Sequence, residues 1–156
     1  PAMMRFTVPG QPVGKARARV VLNRGKVRAF TPEKSASFAN LMRLSFVGKY
    51  PNFVPVDEGP ISVSITAYFQ PPKCFRPKGK DVDPERVPHT KKPDADNIAK
   101  QIDSLNGVAW RDDSLVSDIK VSKRYSLTPR TEIEISYGGK NEKHKLPMRH
   151  MRNGKF

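Results

Sequence analysis

Residues 94–100 read Asp-Ala-Asp-Asn-Ile-Ala-Lys, and a second acidic pair, Asp112-Asp113, follows later in the chain. The stretch Lys91-Lys92-Pro93 leads into the first of these while still extended, and the chain becomes helical by Asp96. Carboxylates at spacing two across such a junction can point into one cleft. Asp112-Asp113 arrive after the helix has run away and the chain has returned. Mg²⁺ takes oxygen ligands, only a few of them from protein, and keeps waters that can attack phosphorus; Mn²⁺ is the alternative ion. Lys100, one helical turn from Asp96, can hold a phosphate or offset charge on a departing oxygen.

The same residues admit a plainer account. Asp94 and Asp96 can complement a helix dipole, Lys100 can pair with Asp96 at i,i+4, and Asp112-Asp113-Ser114 can be turn chemistry. Context favours the metal. The chain carries 29 Lys+Arg against 15 Asp+Glu, a formal charge of +14, so acids held close together run against the trend of everything around them. Such a charge points to a polyanionic partner, nucleic acid before an anionic membrane surface. No apolar run approaches the roughly 18 residues of a membrane span, and no secretory leader pattern opens the sequence, which suggests a cytoplasmic protein. Cys74 is the only cysteine, so neither a disulfide framework nor a cysteine-rich zinc site is expected. His89, His144 and His150 lack ligand spacing and are assigned no catalytic role.

One domain over 4–139 and a basic tail over 140–156 account for the 156 residues. Met4–Val8 reads as a strand. Lys15, Arg17 and Arg19 alternate with Ala16, Ala18 and Val20, which period two would place on one face. Asn23-Arg24-Gly25 looks like a hairpin turn into Lys26–Phe30, where Arg28 adds a cation. Residues 15–30 hold six Lys/Arg and no acid, either an edge strand kept soluble by its charge or a surface that grips phosphates. Thr31-Pro32-Glu33 starts a helix running to about Gly48, with the Thr31 hydroxyl as cap and Phe38, Leu41, Met42, Ser45 and Phe46 as its packing stripe. Pro51–Pro60 connects to Ile61–Phe69, an alternating strand. Pro71–Lys92, with five prolines, should be a long loop beside the acidic site. A helix is expected from Asp94 to about Asn106, with Asp96, Lys100 and Asp103 opposite Ile98 and Ile102. Asp118–Leu127 and Thr131–Tyr137 complete the strands.

The sequence resembles the RusA-type Holliday junction resolvases. The residues carrying the likeness are Lys92-Pro93-Asp94-Ala95-Asp96-Asn97-Ile98-Ala99-Lys100, Asp103 to Val108, Trp110-Arg111-Asp112-Asp113, and Val116 and Asp118 ahead of Lys123-Arg124. Val8 to Lys15 with Arg17 and Arg19, and Phe30-Thr31-Pro32, extend it over most of 4–137. One residue fewer than in the family pattern separates Lys100 from Asp103, and Ala18 stands where the family has proline. The resemblance implies a compact α+β fold with a mixed sheet and two helices, and a homodimeric, Mg²⁺-dependent endonuclease acting on branched DNA, four-way junctions above all. Carried over by position, Asp94, Asp96 and Asp113 would bind the metal and Lys100 would be the catalytic lysine. Lys15, Arg17, Arg19, Arg28, Lys91 and Lys92 are the expected DNA contacts.

Two other readings compete. Pro93-Asp94 followed by Asp118-Ile119-Lys120 imitates the PD-(D/E)xK nuclease pattern, with Lys120 on a strand, but leaves Asp96, Lys100 and Asp113 without a role. A non-catalytic nucleic-acid-binding protein, whose aspartates only cap helices, would carry the same charge.

Overall fold

In a computed structural model of the chain, residues 3–75 and 82–138 are described; the tail from 140 and part of the proline-rich loop lie outside them. The elements follow in order as β1 (Met3–Pro9), β2 (Arg19–Asn23), β3 (Lys26–Phe30), α1 (Glu33–Lys49), β4 (Ile61–Phe69), α2 (Ala95–Ala99), β5 (Val116–Tyr125) and β6 (Arg130–Tyr137). Short 3₁₀ turns occupy Pro84–Arg86, Lys100–Leu105 and Asp113–Leu115. The class is α+β, a mixed four-stranded sheet with a separate two-stranded one.

The main sheet has the order β1-β6-β4-β5. β6 is antiparallel to both β1 and β4, and β5 runs parallel to β4. Alternation decides which face is dry. Phe6, Val8, Ile61, Val63, Ile65, Phe69, Ile133 and Ile135 are all buried on one side. Against that side pack Phe38, Met42 and Phe46 of α1 and Ile98, Ile102 and Leu105 of the second helical region, with Trp110 fully enclosed. Both helices therefore cover the same face, α1 over β1 and α2 over β5. No helix among the described residues is long and apolar enough to cross a membrane.

Several sequence expectations change. α1 starts where expected, but Pro32 occupies the cap position and no side chain caps it, so Thr31 does not serve. Its buried set is Ser35, Phe38, Met42 and Phe46; Leu41 faces outward. The strand of the basic hairpin begins only at Arg19. Lys15 and Arg17 precede it because the backbone at Lys15 is spent elsewhere, its N–H donating to the Asn97 carbonyl at 2.8 Å. The hairpin turn is as expected: Arg24 at φ 48° and Gly25 at φ 75° form the two-residue left-handed loop whose twist suits paired strands.

The helix expected over 94–106 also divides. Five residues are α-helical, and from Lys100 to Leu105 the chain tightens to 3₁₀. At three residues per turn, Ile102 and Leu105 stack in line toward the core, and Gln101 is drawn fully inside, where its Nε2 donates to the Val13 carbonyl at 3.0 Å. Asp103 leaves the Asp96/Lys100 face and pairs instead with the ammonium of Lys15. The described part of the proline-rich stretch, 71–75 and 82–92, is largely irregular, as expected. Its Pro84–Arg86 turn, capped by the Asp83 carboxylate, is pinned to the β5–β6 connection, where Glu85 accepts from Arg130 at 2.8 Å and from Ser126 at 3.0 Å. These bonds hold the Glu85 carboxyl below the usual range.

Candidate active site

The start of α2 is built by what surrounds it. Lys123, on the helix-covered face of β5, donates to the carbonyl oxygens of Lys91 at 2.6 Å and Pro93 at 2.8 Å. His89 fixes the preceding turn: its N–H bonds the Lys123 carbonyl at 3.0 Å, and its ring stacks on Phe69 with centroids 3.9 Å apart. Burial, with Lys123 and Lys91 nearby, pushes the His89 imidazolium down. Its ring is packed between Phe69 and Tyr125.

On the other side lies the segment before the basic hairpin. A Cβ on Gly14 would come within 2.7 Å of the Pro93 Cβ and 3.2 Å of the Asn97 Cβ, so only glycine allows the two backbones to approach this closely. The Lys15–Asn97 backbone bond, the Gln101–Val13 bond and the Lys15–Asp103 ion pair lock the same contact. A cavity of about 400 Å³ results, lined by Gly14, Lys15, Lys92, Pro93, Asp94 and Asn97.

Asp94 is the N-cap of α2, yet its carboxylate makes no capping hydrogen bond. The simplest structural use for that aspartate is thereby removed. Asp96 is exposed and pairs with Lys100 at 3.3 Å, and Lys100 also reaches Asn97 Oδ1 at 3.5 Å. An ion pair so open to solvent is worth at most about 1 kcal/mol and exchanges readily. Asp113 opens the 3₁₀ turn that packs beside Lys100–Leu105. Its neighbour Asp112 is fully exposed and held below the usual carboxylate range, first by the Ser114 hydroxyl, which gives it a local turn role.

As a donor set, Asp94, Asp96 and Asp113 fit Mg²⁺ in kind, being hard oxygens beside waters and phosphates. They do not form a ready-made cage: among the described residues no three Asp, Glu, His or Cys side chains stand close enough to hold an ion. Asp94 and Asp96 both belong to the head of α2, and Asp113 is on a separate 3₁₀ turn.

Of the expected DNA contacts, Arg17, Arg19, Arg28, Lys91 and Lys92 are exposed and Lys15 is half-buried in its ion pair. The rival nuclease pattern separates in space. Asp118 and Lys120 pair with Ser62 and Ser64 and line a cavity with Glu134 and Ser136 on the open face of the sheet, opposite the helices. Asp94 is on the covered side, so these residues share no site. Sequence reasoning met Gly14 and Lys123 only within the family likeness and gave no role to them or to Gln101, although all three position the site.

A sequence model of the family described as endodeoxyribonuclease RusA matches residues 9–136. The uncharacterized protein YqaN of Bacillus subtilis (strain 168) is 36% identical over 136 residues, which span 85% of this chain and 94% of that protein.

Proposed function

This chain belongs to the RusA endodeoxyribonuclease family, and from that premise we propose that it is a Mg²⁺-dependent endonuclease that resolves four-way DNA junctions in the cytoplasm, as a homodimer making paired, symmetric nicks in recombination and repair. The observation that carries the reading is the unspent carboxylate of Asp94 at the head of α2, in a cavity with Lys15 and Lys92 and next to Asp96 and Lys100. Structural economy would have used that carboxylate as a cap.

Asp94, Asp96 and Asp113 would hold the ion, which when bound supplies an activated water and polarises the phosphate. The chain's own groups do the rest. Lys15 and Lys92 draw the phosphate backbone across the cavity. Lys100, released from its weak pair with Asp96, meets charge as it develops on the scissile phosphate. Lys123, Gly14 and the buried Gln101 keep the 91–97 segment from shifting.

The test is a nicking assay on a four-way junction, with and without Mg²⁺, using Asp94→Asn, Asp96→Asn and Asp113→Asn. Each amide removes a ligand and leaves the basic surface intact, so cleavage should be lost while junction binding persists. A protein that binds junctions and never nicks them in Mg²⁺ or Mn²⁺ is the non-catalytic binder, and the nuclease reading fails. A variant that nicks at the normal rate removes that aspartate from the site.

A further inference from the structure

Two apolar surfaces have no cover among the described residues. The first is one side of the β2–β3 hairpin. Its register pairs Val20 with Ala29 and Leu22 with Val27, so these four side chains share a face, while Arg19, Asn23, Lys26 and Arg28 lie on the other with Val21 and Phe30. Every residue of both strands is exposed; Leu22 retains 72% of its accessible surface and Val27 69%. A lone two-stranded hairpin is marginal in water and gains stability by packing a face against something.

The second is the outward side of α1. At 100° per residue, Ser37, Asn40, Leu41, Leu44, Val47 and Gly48 lie opposite the buried Phe38, Met42 and Phe46. None of the six is charged, Glu33 in the first turn being the one charge in line with them, and Leu44 is 58% exposed at the middle of the stripe. Surface helices usually carry their charge there. Beside its N-terminal end a groove of about 520 Å³ runs between Phe38, Leu41 and the Pro9–Val13 segment, with Glu33 and Lys34 at its edge.

We propose that these two surfaces bind each other between two copies of this chain, the apolar face of each hairpin lying on the outward face of the partner's α1. Charge selects the occupant. A chain of +14 repels its own copy wherever cations face each other, and neither the hairpin face nor the α1 stripe carries one, Lys34 only bordering the groove. DNA is a poor occupant for the same reason, since the hairpin face has no cation or side-chain donor and the helix stripe offers phosphates only Ser37 and Asn40; the opposite hairpin face, with Arg19, Lys26 and Arg28, remains free for it. Area selects the arrangement. Hairpin packed on hairpin buries four aliphatic side chains per copy, far short of the roughly 20–30 residues a side of a stable interface. Reciprocal exchange buries hairpin, helix stripe and groove on both copies at once, and two-fold symmetry closes it. Strand β4 offers no competing surface, because Ile61, Val63, Ile65 and Phe69 are already consumed by the core.

The inference specifies the homodimer of the proposed function, yet its test needs neither DNA nor metal, so the two can fail separately. Sedimentation of the full chain should give a dimer at micromolar concentration. Leu22→Glu and Leu44→Glu should each weaken it at least about 100-fold, since a carboxylate would be buried without a partner. Leu127→Glu, at an exposed position elsewhere, should leave it unchanged, and far-ultraviolet circular dichroism confirms that each variant is folded. In a Cys74→Ser background, mixing Leu22→Cys chains with Leu44→Cys chains should give disulfide-linked heterodimers in preference to either homodimer. A wild-type monomer, a dimer indifferent to both glutamates, or Leu44–Leu44 cross-links alone would overturn the proposal. So would a Leu22→Glu protein that stays dimeric and loses junction affinity, which would assign the hairpin face to DNA.

Discussion

The Nζ of Lys123 donates to the carbonyl oxygen of Pro93 at 2.8 Å, one residue ahead of Asp94. A strand side chain thus fixes the backbone from which the first acidic residue projects. With the second bond to the Lys91 carbonyl, it holds both ends of a turn that has no regular structure of its own.

Lys123→Met keeps the aliphatic stem and removes both bonds. Hydrogen bonds from a charged donor are worth about 1.5–3 kcal/mol when buried; half-exposure reduces this, and a total loss of about 2 kcal/mol is expected. Thermal unfolding should fall by about 4–8 °C. Single-turnover cleavage should slow by more than stability explains, at saturating junction and unchanged affinity. A normal rate in the folded variant would leave Lys123 a purely structural group.

Gly14→Ala tests the contact on the opposite side. The added methyl would meet the Pro93 ring at 2.7 Å, and neither Pro93 nor the α2 backbone can yield without disturbing Asp94. Overpacking of this kind costs about 1–3 kcal/mol. Cleavage should suffer more than unfolding temperature, because the strain falls on the segment that carries the carboxylates. Calorimetry and rates measured on the same preparation separate the two effects.

His89 makes stability depend on pH. Its folded-state pKa lies below the ordinary value of 6.5, chiefly through burial, so below about pH 6.5 the unfolded chain binds a proton that the folded chain resists. The stability it contributes is complete above that pH and is lost as pH falls toward the folded value. Groups facing the ring are Phe69, Tyr125 and the cations Lys123 and Lys91, none of which would welcome the charge. Between about pH 7.5 and 5.5 the wild-type unfolding temperature should drop more than that of His89→Phe, which keeps the stack. Parallel curves would assign the acid sensitivity elsewhere.

The sequence made some of this legible and hid the rest for identifiable reasons. Alternation exposed β1, β4 and β6, because each buries one face and solvates the other. It misjudged Lys15 and Arg17, since a run that alternates without a pairing partner is not a strand, and the partner that Lys15 finds is the backbone of α2. The face shared by Asp96, Lys100 and Asp103 held only as far as the helix stayed α; one change of pitch at Lys100 sends Asp103 to Lys15. Asp94 and Asp96 stood out as candidates because acids clustered in a basic chain are anomalous, and Lys100 only as the cation one helical turn from Asp96. Lys123 did not, since one lysine among many looks like any other until its acceptors are known.

Lys100→Ala should divide chemistry from binding. Its ammonium is one of 29 Lys+Arg and adds little to the overall field, but it stands one turn from Asp96, where charge on the phosphate would develop. Cleavage of bound junction should fall by at least about 100-fold with affinity altered less than about threefold. A tenfold loss of affinity at an unchanged bound-state rate would make Lys100 a DNA contact only.

The hairpin's cationic face makes the last prediction, on salt. Arg19, Lys26 and Arg28 project together from a fully exposed ribbon, with no acid among residues 15–30 to compete for them. If each neutralises one phosphate, counterion release lowers log K by about 0.9 per contact for each unit of log salt. Replacing all three by alanine should therefore flatten the slope by up to about 2.7 while leaving the bound-state cleavage rate unchanged, because none of them lines the cavity at Asp94. Deleting residues 140–156, with six Lys/Arg, gives an independent decrement if that tail also meets the backbone. Fluorescence anisotropy across a salt series, on a junction and on linear duplex, measures both. An unchanged slope in the triple variant would mean that the hairpin cations serve solubility, the plainer of the two uses their clustering allows.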